Sequence, residues 1–319
     1  MIVKPPFGDD DVAVDLRGLR VRPLQPTAPR GAADVGRLLS RAVDYPVDGP
    51  GLLELARQAR NAVVVVPDAT RRIGLPECLP VIFNRLLAGG IPAPSVTVLI
   101  ACGTHPAVDE AEAAALVGDL PNGIVLRQHD SRCASELAAV GELRPGIELR
   151  LDRRAVETDL LITVGGVKHH YFAGLGGGPR MVFPGIAGHD EIQANHSLVL
   201  RRDRGGLERH PRCEPGVLEG NPVAEEIARA ADLRPPELAL CVVPGRDGRA
   251  AFAAAGSWRG AFAATVECAR EWYELPARQY DHLVGCGGGR PGDATLIQAH
   301  KGLDAVCRFA NPGAEVLFV

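Results

Sequence analysis

Three short runs of uninterrupted apolar residues, each opening directly into a polar loop, constrain this chain more than any other feature. Ala62-Val63-Val64-Val65-Val66 never alternates with polar residues. Such a run has no face to give to water, so it predicts a strand covered on both sides, as in a parallel sheet. Residues 96–101 and 160–164 repeat the pattern. Helical stretches are expected at 33–43, 52–60, 79–88 and 109–116, with a further strand at 123–127. Strand, polar loop, helix and strand in alternation specify an α/β fold with a Rossmann-like parallel sheet, whose ligand edge lies at the carboxyl ends of its strands.

The loops at that edge carry the reactive side chains. Asp68, Thr70, Arg71 and Arg72 follow the first run, His105 follows the second and His129 ends the strand at 123–127. The third run leads through Gly165-Gly166 to His169 and His170, then to Gly174-Leu175-Gly176-Gly177-Gly178 and Arg180, a Pro184-Gly185 turn, and a helix carrying His196. Glycines that admit φ > 0 allow several N–H groups to face one concavity suited to a phosphate, and Arg180 adds a bidentate cation. Each piece also has a plain structural reading: Asp68 as a helix cap, solvated arginines, a glycine-rich loop, and histidines satisfied within the fold. The three histidines lack the i, i+4 spacing of a helical metal motif, so spacing alone leaves a zinc-type site open.

The remainder is expected to be a short β-hairpin or extended lead-in over 1–35, a basic loop-rich stretch over 200–235 containing a helix at 223–231, strands at 238–243 and 250–255, and a helix at 261–275 preceded by Trp258. Pro276 marks the boundary between an N-terminal α/β catalytic domain, 1–275, and a short C-terminal α/β domain, 276–319. The latter should hold strands at 282–286 and 315–319 around a helix at 294–309, on which Gln298 and Lys301 face the same way. The active site is expected in the cleft between the two.

A net charge of −4 with no basic stripe argues against nucleic acid or an anionic membrane surface as partner and favours a small polar substrate. The eight cysteines form no C-x-x-C pair and are expected to be reduced thiols. With no signal-like N-terminus and no membrane-length apolar run, a cytoplasmic location is expected.

In order along the chain, Asp68-Ala69-Thr70-Arg71, Gly103-Thr104-His105, the segment from His170 through Arg180 to Pro184-Gly185, Asn195-His196 and Gln298-Ala299-His300-Lys301 resemble the motifs of the nickel-dependent lactate racemase family. The resemblance implies a nickel-pincer nucleotide, of the pyridinium-3,5-bisthiocarboxylic acid mononucleotide type, with His196 as the protein ligand to nickel. It implies catalytic roles for His105 and His170, substrate-carboxylate contacts from Arg71, Gln298 and Lys301, and cofactor contacts from Asp68, Thr70, Gly176, Gly177, Gly178 and Arg180. Each enantiomer of a 2-hydroxy acid presents its hydroxyl on an opposite side, so inversion calls for one imidazole per side.

The sequence departs from the family at Arg180, which occupies the place of the lysine that tethers the cofactor, and at His169, where a proline is usual. A guanidinium is a poor nucleophile, so noncovalent cofactor binding is expected. The family's C-terminal domain ordinarily continues past Val319, which implies a more open pocket. Together with Arg72, His169 and Arg180 as extra cationic or polar groups, that implies a dicarboxylate such as malate over lactate. Expected partners are that acid, the cofactor-synthesis enzymes and, as an option left open, further copies of the chain in a homo-oligomer. The alternatives are an epimerase of a longer sugar acid using the same cofactor, a noncatalytic nucleotide- or metal-binding homologue, and, more weakly, a zinc hydrolase.

Overall fold

The continuous apolar runs become the middle of a six-stranded sheet. The computed structural model describes residues 1–319 apart from Arg72, Arg204, Ala277 and Pro291. Strand Ala62–Pro67 is buried at every residue and lies between Val96–Ala101 and Leu160–Gly166. The full order across the sheet is Ala250–Gly256, Leu238–Pro244, Leu160–Gly166, Ala62–Pro67, Val96–Ala101, Val125–Gln128. Numbered along the chain this is 6-5-4-1-2-3, the doubly wound order, and all neighbours are parallel except the edge strand Ala250–Gly256, which returns antiparallel. Helices Val35–Asp44, Leu52–Gln58 and Leu75–Ala88 contribute Leu39, Val43, Leu52, Leu79, Ile82 and Leu86 to the core beneath it, each fully buried.

Register opens a crevice in the sheet's carboxyl edge. The two central strands pair only from Leu160↔Ala62 to Thr163↔Val65. Each stays paired with its outer neighbour to its very end, at Pro67↔Ala101 and Gly166↔Val242. The strands therefore part at the point where the order reverses, the position at which doubly wound sheets bind ligands.

Contacts divide the chain into two compact units, Ala28–Trp272 on one hand and Met1–Thr27 with Tyr273–Val319 on the other. The fold thus groups the N-terminal lead-in with the C-terminal segment rather than with the larger domain. Within the smaller unit the Gly8 N–H donates to Asp293 Oδ2 (2.7 Å) and the Arg290 N–H to the Gly8 carbonyl (2.9 Å). Its parallel strands Tyr280–Gly285 and Ala310–Phe318 flank helix Leu296–Cys307.

Several elements differ from expectation. Helix Leu75–Ala88 starts earlier than residue 79 because Pro76 occupies its first turn, where no N–H is needed, although Pro80 lies farther inside. Trp258 is the first residue of helix Trp258–Tyr273, not a residue before it. The antiparallel hairpin Leu137–Arg144 with Ile147–Asp152 and the short helix Arg153–Glu157 were not foreseen. The basic stretch after residue 200 contains a wholly exposed hairpin, Leu200–Asp203 with Gly206–Arg209; its Arg204 lies outside the described residues.

Candidate active site

The loop after strand Ala62–Pro67 is built around one carboxylate. Asp68 Oδ1 accepts from the Thr70 N–H (3.0 Å) and the Thr70 hydroxyl (2.6 Å), while Oδ2 meets His105 Nδ1 in a short contact. Burial alone would raise the Asp68 carboxyl pKa. The hydrogen bonds from His105 and Thr70, with the charges of His105 and Arg71, outweigh it and hold the group below its usual range. An ionised Asp68 accepts, so His105 donates to it from Nδ1. The resemblance gives Asp68 and Thr70 to the cofactor; in the fold Asp68 also joins Thr70 to His105 and so orients the imidazole.

His105 itself is presented by the turn after Val96–Ala101. Its N–H donates to the Cys102 carbonyl (2.9 Å), and the Gly103 N–H to the Gly185 carbonyl (3.0 Å). That second bond fastens the His105 loop to the Pro184-Gly185 turn. His129, by contrast, is buried with both ring nitrogens engaged: Nδ1 faces Asp152 Oδ2 (3.1 Å) and Nε2 the Ala187 carbonyl (2.9 Å). It is a structural residue.

Past Leu160–Gly166 the chain makes a small antiparallel ribbon, His169–His170 with Gly174–Leu175. His170 Nδ1 accepts from the Ala173 N–H (3.2 Å), and Nε2 lies 3.5 Å from Arg180 Nη2. Both nitrogens of the His170 ring thus face N–H donors, the Ala173 backbone on one side and the Arg180 guanidinium on the other.

The glycine run is a packing device before it is a cradle. A Cβ at Gly177, where φ is +71°, would come within 2.7 Å of the Gly166 carbonyl oxygen, and one at Gly178 within 2.4 Å of the Phe262 ring. The Gly176 N–H is taken by the Lys168 carbonyl (2.7 Å), so it does not join the ring of free donors expected from the sequence. What the turn does deliver is Arg180. Its Nη1 is buried without a hydrogen-bond partner, and burial, with the Arg71 charge, pushes the guanidinium down to about 9 against the opposing pull of Tyr171.

Helix His189–His196 ends at the third histidine. The His196 ring stands edge-on to Phe172 with centroids 5.2 Å apart, and Phe172 is edge-on to His170 at 4.7 Å. Burial first, then the charge of Arg180, press His196 down to about 4, with the Ile192 backbone opposing and His105 adding to the fall. The ring is therefore neutral at pH 7. Its Nδ1 is buried with no hydrogen-bond partner.

His105, His170, His196, Arg71 and Arg180 thus gather at the crevice from three separate loops and one helix end. Lys168 belongs with them and was missed in the sequence, although its position between a buried strand and His169 matches that of the other edge residues. Arg72 lies outside the described residues. Gln298 and Lys301 belong to the smaller unit, where Lys301 Nζ donates to Gln298 Oε1 (2.8 Å), as their three-residue spacing predicted. Among the described residues no three His, Cys, Asp or Glu side chains gather as a metal-ligand set.

A doubly wound α/β protein with imidazoles and unpaired cations at its topological switch point is the class defined by this geometry. The model of the lactate racemase N-terminal domain matches residues 7–207, and the chain belongs to the lactate racemase family. It is 29% identical over 282 residues to the lactate racemase of Lactiplantibacillus plantarum, covering 88% of this chain and 65% of that protein. To the lactate racemase of Thermoanaerobacterium thermosaccharolyticum it is 29% identical over 308 residues, covering 95% and 70%. The lactate racemase apoprotein structure from the latter organism aligns with a TM-score of 0.87 and 28% identity, over 100% of this chain and 74% of that one. A Thermotoga maritima structure shares the fold at a TM-score of 0.57 and 18% identity, over 78% and 61%. The eight cysteines are all free, and among the described residues no helix is long and apolar enough to cross a membrane.

Proposed function

We propose that this chain is a cytoplasmic racemase of a small 2-hydroxy acid, with malate preferred over lactate, working with a noncovalently held nickel-pincer nucleotide. The observation that carries this reading is the shared setting of three imidazoles: Arg180 lies against His170, and the charges of Arg180 and His105 both bear on His196. The residues present fit the cofactor. His196 is neutral with an unpartnered buried nitrogen, and imidazole is a good nickel ligand. Arg180, whose charge bears on His196, has a buried Nη1 without a hydrogen-bond partner, suited to a phosphate or thiocarboxylate of the cofactor.

When bound, the cofactor supplies the two-electron acceptor for the hydrogen at C2. The chain does the rest. His105, held by Asp68, takes the hydroxyl proton from one enantiomer through Nε2, and His170 returns a proton on the opposite side. For the other enantiomer the two exchange roles, which requires groups able both to accept and to donate near neutral pH. Arg71 holds the C1 carboxylate and keeps C2 in place while its bonds change, the guanidinium fork being the matched partner of a carboxylate; the family resemblance gives the same part to Gln298 and Lys301.

Malate is favoured because the charge of Arg71 bears on both Arg180 and Lys168, a cationic setting suited to a second carboxylate. Protein produced together with the cofactor-synthesis enzymes should abolish the optical rotation of L-malate with a kcat/KM about tenfold or more above that for L-lactate, the effect of one added charge-assisted contact of about 1.5 kcal/mol. Equal or lactate-favouring rates would overturn the malate preference. No racemisation of either acid by nickel-loaded protein would overturn the racemase reading.

A further inference from the structure

We infer that Lys168 is the specificity-determining residue of this site, binding the second carboxylate of a dicarboxylic 2-hydroxy acid. The inference rests on the racemase reading and adds to it a residue to which the resemblance gave no role.

Lys168 leaves the buried strand Leu160–Gly166 two residues before His170. Its carbonyl receives the Gly176 N–H (2.7 Å), which locks its backbone to the turn delivering Arg180. The position is therefore fixed on both sides, while the side chain remains accessible to solvent. Among the described residues its ammonium makes no hydrogen bond or ion pair. Protein surrounds it nonetheless: desolvation, and after it the charge of Arg71, hold the ammonium below its ordinary range. The same Arg71 charge bears on Arg180, so three cations share this end of the crevice.

An accessible yet partly desolvated lysine, with its backbone anchored and no carboxylate of its own, is incomplete without an anion. Two sources carry that chemistry, the distal carboxylate of the substrate and an anionic group of the cofactor. Burial separates them. Arg180 is the enclosed cation, against His170 and His196, and matches a resident group. Lys168 is open to solvent and matches a group that comes and goes with each turnover. A four-carbon diacid bound through C1 to Arg71 presents its far carboxylate to a nearby cation, whereas lactate presents only a methyl group.

The test uses Lys168→Gln and Lys168→Arg in the full chain, with L-malate and L-lactate as probes. In nickel-loaded protein, Lys168→Gln should lower the malate-to-lactate ratio of kcat/KM by about tenfold, mainly through the KM for malate, with nickel content retained; about tenfold corresponds to one such contact. Lys168→Arg should keep most of the ratio. Titration calorimetry on protein made without the cofactor should show the same shift in relative affinity. An unchanged ratio would overturn the inference, as would parallel loss for both acids with loss of nickel, which would give Lys168 to the cofactor. Should the loaded enzyme racemise neither acid while calorimetry still shows the shift, the racemase reading fails and the role of Lys168 stands.

Discussion

His105→Ala is expected to lower kcat/KM for racemisation by about 10²- to 10⁴-fold, the range of a general acid–base group, and by the same factor from either enantiomer. The equality follows from the chemistry. Mirror-image acids have equal free energies, so the equilibrium constant is one and any loss must be shared by both directions. Asp68→Asn should give a smaller loss in the same direction, because it removes the acceptor that fixes the His105 tautomer. The His105 side chain is 44% exposed and contributes nothing to the core, so the variant should fold normally. Chiral chromatography of both enantiomers, with circular dichroism as a fold check, measures this. A loss below about tenfold would contradict the catalytic role.

The second large effect is on stability and lies away from the chemistry. Asp152 is fully buried. It accepts from Arg154 Nε (2.8 Å), Arg154 Nη2 (2.7 Å) and His129 Nδ1 (3.1 Å). His129 in turn donates to the Ala187 carbonyl, next to the start of the helix that carries His196. Asp152→Ala would remove the acceptor shared by the Arg154 guanidinium and the His129 ring. The expected loss is about 3 to 5 kcal/mol, the scale for breaking a buried pair by removing one partner. Urea unfolding would show it as a lower midpoint.

The pH dependence of that network has a definite sign. Burial raises the Asp152 carboxyl pKa, but the bonds from His129 and Arg154 and their charges outweigh it, so the folded value lies below the ordinary 3.8. A carboxylate depressed by folding stabilises the fold fully above its unfolded pKa. The contribution is lost as pH falls from there through the folded value. The wild type should therefore lose more stability than Asp152→Ala on acidification below about pH 4, and the two unfolding curves should draw together there.

Much of the sheet was legible in the sequence, because an apolar run without alternation has one stable setting, covered on both faces. The edge loops were legible for the same reason, since a strand's end fixes where its next residues go. The hairpin of residues 137–152 escaped notice because Ala138, Ala139, Gly141 and Glu142 give no clean two-residue alternation, and its pairing carries register shifts. Partners within a loop are equally invisible from spacing. The bonds from Thr70 and His105 to Asp68 join two loops and leave no mark in the spacing. The close approaches of Gly177 to Gly166 and of Gly178 to Phe262 are equally invisible in the sequence. Lys168 carries no motif as a single lysine, and its meaning comes from its lack of a hydrogen-bond or ion-pair partner among the described residues.

The central claim is that one imidazole, that of His196, holds the metal while His105 and His170 handle protons. Elemental analysis of nickel per chain, on protein produced with the cofactor-synthesis enzymes and then desalted, tests it most directly. The account predicts close to one nickel per chain in the wild type, His105→Ala and His170→Ala, and nickel lost from His196→Ala. Nickel retained in full by His196→Ala, or absent from the wild type, would contradict it.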